Sequence, residues 1–193
     1  SSKLPGWGTL LEVCTEPDSN LGNAANEYSK VRVLRITKDT DWSHPETFRQ
    51  TRDLVQDNPG ISMHGSLPCT PWTQWTQVNV AQYGMSFWKR MIEDRQHSIK
   101  LVCSFIKIAE IILMQGGEVS FEWPKTCHGW RIPQLMAFIT KWNLYVVDVH
   151  GCALGMTNNN DEPILKQWRF ITSSKRQAET LSKYKCPHEP SFK

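Results

Sequence analysis

Short runs rich in Val, Ile and Leu alternate along this chain with longer helix-compatible stretches, and this alternation restricts the fold more than any other feature. Thr9 to Cys14, Val31 to Ile36, Ile61 to Leu67, Glu118 to Trp123 and Asn143 to Val149 are the β-prone runs. Between them, Leu21 to Lys30, Pro45 to Gln56, Val80 to Met114 and Ile132 to Trp142 read as helical, the third long enough for two helices. Ser43, with Glu46 three residues on, is the expected cap of the Pro45 helix, and Gln115-Gly116-Gly117 the stop after Met114. After the fifth run the rhythm changes. Gly151 to Met156 and Pro163 to Thr172 read as a hairpin around the polar loop Thr157 to Glu162, and Ser174 to Tyr184 as a final helix. The expected fold is α/β, a doubly wound mixed sheet with an antiparallel C-terminal strand pair.

At 193 residues the chain is expected to form one domain over 1–193, with a basic C-terminal segment over 166–193. It starts at Ser1-Ser2 without Met, as a piece of a longer chain would. No apolar run reaches the roughly 18 residues of a membrane span, and no signal peptide is visible, so a membrane partner is not expected. The six cysteines form no CxxC pair and no dense framework, which points to reduced thiols and an intracellular setting, nuclear or cytoplasmic. Net charge is only +3, but Lys and Arg outnumber Glu from Lys166 onward. That excess suits either an anionic partner such as nucleic acid or a solvated helix face.

In open α/β sheets ligands bind beyond the carboxyl ends of the strands, near the point where strand order reverses. The unusual polar, Pro and Trp residues fall in such loops: Glu12 to Asn20, Thr37 to Asp41, Pro68 to Trp72, and Glu122 to Pro124. Ser66-Leu67-Pro68-Cys69-Thr70-Pro71-Trp72 is similar to the Pro-Cys-Gln nucleophile loop of the DNA cytosine-5 methyltransferases and their divergent relatives in retroelement-like polyproteins. Phe121-Glu122-Trp123-Pro124 resembles that family's Glu-Asn-Val loop, and Leu11-Glu12-Val13-Cys14 the start of its cofactor loop. Where the family has a Gly-rich loop, this chain has Thr15 to Gly22; it shows no Gln-Arg-x-Arg segment.

The resemblance implies a Rossmann-like methyltransferase fold, S-adenosylmethionine as cofactor and a nucleic-acid base as acceptor. Cys69 would attack C6 of a flipped-out cytosine while Glu122 supports charge build-up at C5. The cofactor would be held by Glu12, Cys14, Ser19, Asn20, Pro68 and either Asp39 or Asp41, and the substrate by Thr70, Trp72, Gln74, Trp123 and Arg131. A thiol of ordinary pKa near 8.5 is only a few per cent ionised at pH 7, so Cys69 is expected beside backbone N–H groups or a cation, with His64 and Arg131 as candidate neighbours. Trp72, Trp75, Trp123 and Trp130, among nine tryptophans, offer rings for stacking, worth about 1–3 kcal/mol per base; Asn79 is a further polar candidate.

Cys127-His128, His150-Gly151-Cys152 and Cys186-Pro187-His188 supply ligand types for a structural zinc site, though their spacing matches no standard finger. Three other readings stay open: an amino methyltransferase, in which the Pro-Cys-Thr-Pro-Trp loop binds an exocyclic amine without a thiol; a catalytically inactive module that keeps the fold and binds nucleic acid or a protein; and a thiol hydrolase.

Overall fold

The computed structural model describes residues 8–27, 31–37 and 39–186. Six strands form one mixed sheet: β1 (Thr9–Thr15), β2 (Arg32–Thr37), β3 (Ser62–Gly65), β4 (Val119–Pro124), β5 (Tyr145–His150) and β6 (Gln167–Thr172), in the order β2-β1-β3-β4-β6-β5. The first four are parallel, and β6 runs antiparallel to both of its neighbours. The helices are α1 (Asn20–Glu27), α2 (Pro45–Asp57), α3 (Trp75–Met114), α4 (Pro133–Lys141) and α5 (Lys175–Leu181). From β1 the chain passes to β2 on one side and returns to β3 on the other. The strand order therefore reverses between β1 and β3, and a crevice opens there.

Burial follows the period-two alternation of the strands. Leu11, Val13, Met63, Val119, Phe121 and Trp123 point to the main core, where α3 brings Phe105, Ile108 and Ile112. Gly65 makes that contact possible: a Cβ there would lie 2.6 Å from the Phe105 ring. The opposite face is thinner. Val147, Val149 and Ala178 form a small cluster with Phe170 and Leu181, covered by α5.

Some local expectations are corrected. His44, not Ser43, caps α2, its Nδ1 accepting from Glu46 N at 3.3 Å, because the Ser43 hydroxyl is taken by Asp41 at 2.6 Å. The 75–114 helix is broken at Gly84, whose φ of 68° and ψ of −153° lie where only glycine is comfortable. The hairpin is formed by β5 and β6 themselves. Gly151–Leu154 is a 3-10 turn, and only one bridge, Thr157 to Pro163, joins the segments expected to pair. β6 instead finds both its partners at long range.

Candidate active-site crevice

Two cavities meet at the carboxyl end of β1. The first, about 520 Å³, is walled by Cys14, Asp39, Asp41, Trp42, Pro68 and Thr70, and across from them by Asn79, Arg90, Asp94 and His97 of α3. The second, about 700 Å³, lies on the sheet face and is walled by Glu12, Ser19, Asn20, His64, Ser66 and Glu122, with Trp168 and Phe170 of β6 as its aromatic side. Cys14 belongs to both walls. It follows a register shift in β1 and holds φ at 58°, a left-handed conformation uncommon outside glycine. The backbone thus takes a glycine-like turn at a non-glycine residue.

The sheet-face cavity has a simple origin in sequence. Glu12 on β1, His64 and Ser66 along β3, and Ser120 and Glu122 on β4 all alternate with core residues, so parallel pairing gathers them on one face. Glu12 is only 4% exposed yet fully engaged: Oε1 accepts from Thr15 Oγ1 at 2.9 Å, Oε2 from Ser19 Oγ at 2.6 Å, and Arg35 Nε lies 3.7 Å away. His64 Nδ1 pairs with Ser120 Oγ at 2.8 Å, and its ring stacks on Phe170 with centroids 6.4 Å apart. Burial holds His64 below its ordinary pKa against the pull of Glu12, so the ring is neutral near pH 7.

Glu122 differs from Glu12. Its Oε1 accepts from Ser66 Oγ at 2.5 Å, while the buried Oε2 has no hydrogen-bond partner. Burial pushes its carboxyl above the usual carboxylate range, with Ser66 and Lys166 pulling the other way. Glu122 thus lines the cavity with one oxygen anchored by Ser66 and the other buried behind it without a partner.

Cys69 caps the 3-10 turn Thr70–Trp72, four residues beyond the end of β3. It is half-buried, packs against the main core and lines neither cavity, although Pro68 and Thr70 on each side line the first. Burial raises its thiol, as does Glu122, while a backbone hydrogen bond and Lys166 lower it; the net direction is up. The backbone hydrogen bond and the cation expected beside Cys69 are therefore both present, and burial outweighs them. Cys14 is pushed up to about 12 by burial.

The tryptophans are chiefly structural. Trp123, 1% exposed, donates Nε1–H to the Leu67 carbonyl at 2.6 Å and packs edge-on to Phe121 and Trp130. It cannot stack on a ligand, because β4 alternates and its odd positions face the core. Trp72 donates to Ser98 Oγ at 2.8 Å beneath the Arg95 guanidinium, fastening the Cys69 turn to α3. Trp130 donates to the Pro124 carbonyl at 3.0 Å. Gln74 and Trp75 line a smaller hollow with Cys127, and Arg131 is exposed and lines neither large cavity.

Among the described residues no group of three or more His, Cys, Asp or Glu is arranged to hold a metal ion. Cys127 is buried and pushed up to about 12, His128 sits on the next turn, and His150, Cys152 and Cys186 cluster elsewhere. His188 lies outside the described residues.

Protein families, curated proteins and solved structures were all compared with this chain. None matches.

Trp168, Phe170 and the α3 residues Arg90, Asp94 and His97 were not anticipated at the site. The last three lie on one helical face at spacings of three and four, a signal available in the sequence; the β6 pair was hidden by the misplaced hairpin.

Proposed function

We propose that this protein binds S-adenosylmethionine and transfers its methyl group to a nucleic-acid base. The observation that carries the reading is the shared wall at Cys14: a cofactor in the first cavity has its reactive end beside a base in the second, where Glu122 waits. The mixed six-stranded α/β sheet is compatible with the Rossmann-like methyltransferase fold that the resemblance implies.

Of the residues expected to hold the cofactor, Cys14, Asp39, Asp41 and Pro68 wall the first cavity and fit the cofactor's chemistry, whereas Glu12, Ser19 and Asn20 wall the second, and Thr70, expected at the substrate, walls the first. Asp41 uses Oδ1 to accept from Ser43 N and Oγ at 2.9 and 2.6 Å, the Ser43 hydroxyl lowering its pKa most, so it is ionised and suited to accept from ribose hydroxyls. The left-handed turn at Cys14 lets the main chain approach a ligand closely. When bound, the cofactor supplies an electrophilic methyl group on sulfonium. On the acceptor side, Glu122 in its protonated form donates to a ring nitrogen, and Ser66 keeps that carboxyl oriented. The finer reading is cytosine C5: the Cys69 thiol gives its proton to solvent, its sulfur bonds to C6, C5 takes the methyl group from sulfonium, and loss of the C5 proton to solvent breaks the sulfur–C6 bond and frees the thiolate.

Calorimetry with S-adenosylhomocysteine tests the cofactor reading. Binding, weakened at least tenfold by Asp39→Asn with Asp41→Asn, is expected; no heat at millimolar ligand sinks it. Covalent trapping of a 5-fluorocytosine oligonucleotide, lost in Cys69→Ser, tests the finer one. The protonated thiol and its position outside both cavities favour a second reading, an inactive module that binds nucleic acid or a protein, for which neither signal is expected.

A further inference from the structure

Asp148 on β5 sits where three cations meet. Arg169, its register partner on β6, holds both carboxylate oxygens, Nε to Oδ1 at 2.8 Å and Nη2 to Oδ2 at 3.1 Å. Lys125 Nζ is 3.1 Å from Oδ2, and Lys185 donates to the Asp148 main-chain carbonyl. One negative charge therefore faces three positive ones. His150, two residues along, relieves nothing: its ring nitrogens are engaged by Cys186 N at 2.9 Å and by the Gln167 amide at 3.1 Å. From 166 to 186 the one acid is Glu179, paired with Lys175 at 3.7 Å.

By register Asp148 and Arg169 stand on the Trp123 face of the sheet and the crevice on the other. The two meet at the strand ends, where Lys125 N donates to the carbonyl of Gln167, the neighbour of Lys166, at 3.0 Å. The Lys166 ammonium lies 4.7 Å over the Trp168 ring, which walls the sheet-face cavity, and its charge is felt at both Glu122 and Cys69. Clustered Lys and Arg neutralise phosphates, and an adjacent aromatic ring offers a base a stacking surface. A peptide's carboxylates would use the charges but leave the ring and the cavity without a role.

We infer that Lys125, Lys166 and Lys185, with Asp148 as the charge that opposes them, form a track for the phosphodiester backbone of a nucleic-acid single strand whose base enters the sheet-face cavity. The inference rests on the reading of that cavity as a base pocket. Each ammonium displaces a counterion from the strand, so binding through the track weakens steeply with salt.

The test is fluorescence anisotropy of a labelled 20-nucleotide single strand with the full chain, between 50 and 200 mM KCl. Replacing Lys125, Lys166 and Lys185 together by Gln is expected to reduce the slope of log affinity against log salt by about 2, since each single-strand phosphate contact contributes about 0.7. Affinity at 50 mM KCl falls more than tenfold. Asp148→Asn removes the opposing charge and is expected to tighten binding. An unchanged slope in the triple variant overturns the inference, as does Asp148→Asn binding no tighter than the parent, an arm that stands even if the triple variant fails to fold. Phosphatidylserine vesicles or polyglutamate binding through these lysines, with the strand not bound, also overturns it. S-adenosylhomocysteine calorimetry separates the two readings: strand binding without cofactor binding sinks methyl transfer and leaves the track standing.

Discussion

The two cavities share a residue but are built on opposite plans. The first is framed by loops and by α3, with a rigid aromatic at its base: Trp42 is fully buried and donates Nε1–H to Thr51 Oγ1 at 3.1 Å. The second is a polar patch on a sheet face, bounded by the half-buried rings of Trp168 and Phe170, of which Phe170 packs against a minor cluster. One wall is part of the core and the other only leans on it. A pocket of the first kind is rigid because the fold needs its walls, whereas one of the second kind can change its rings at little expense in stability.

The sharpest way to break this contrast is to remove one ring from each cavity. Trp42→Ala is expected to destabilise by about 3–5 kcal/mol, the range for large buried aromatics, and Phe170→Ala by about 1–2 kcal/mol because its site is half-open. Urea unfolding at constant m value reads both; equal losses would mean Phe170 belongs to the core after all.

Gly84 comes next. Gly84→Ala places a Cβ in a backbone conformation reserved for glycine and is expected to destabilise by about 1–3 kcal/mol. A Cβ would meet nothing within 4 Å, so the whole effect is backbone strain. Since the helix on both sides of this break walls only the first cavity, S-adenosylhomocysteine affinity should fall while single-strand affinity holds; parallel losses would show that the cavities are mechanically joined.

The smallest effect is electrostatic. Glu122 has a raised folded pKa, so the stability that goes with its protonated form is fully present below the unfolded value and is lost as pH rises through the folded one. Glu122→Gln is neutral throughout. The variant's stability relative to the parent should therefore grow between pH 4 and pH 8. A difference independent of pH would mean that the carboxyl is solvated. The loop-framed cavity supplies the contrast, since Asp41 is held below the carboxylate range: the parent's advantage over Asp41→Asn is present above about pH 4, the unfolded value, and is lost as pH falls below it.

Much of this arrangement is legible in the sequence because it follows from alternation. Ser62-Met63-His64-Gly65-Ser66-Leu67 reads as a strand with one polar and one apolar face, and β1 and β4 read likewise. The loops carrying Asp39, Asp41, Pro68 and Glu122 gather at the crevice for the same reason. What sequence could not supply is which side of a turn a side chain takes. Cys69 is flanked by two prolines and looks presented to solvent; Trp72 instead draws the turn onto α3 and leaves the thiol against the core. Trp123 looks like a ligand platform until alternation along β4 puts it on the core face, opposite Glu122. The β6 pairing depends on contacts between positions far apart in sequence, and no local pattern in 151–172 distinguishes a self-contained hairpin from a strand inserted between β4 and β5.

That insertion has a consequence for how the protein is made. β5 leaves the ribosome before β6, yet among the described residues β6 is the strand that joins β5 to the sheet. Until Gln167–Thr172 has emerged, β4 is an open edge and β5, with Tyr145 and Val146 exposed, is an unattached apolar ribbon. An unpaired edge beside an orphan strand invites pairing with another nascent chain. The last strand synthesised thus acts as a clasp, and the interval before it closes is when this fold is most dependent on chaperones.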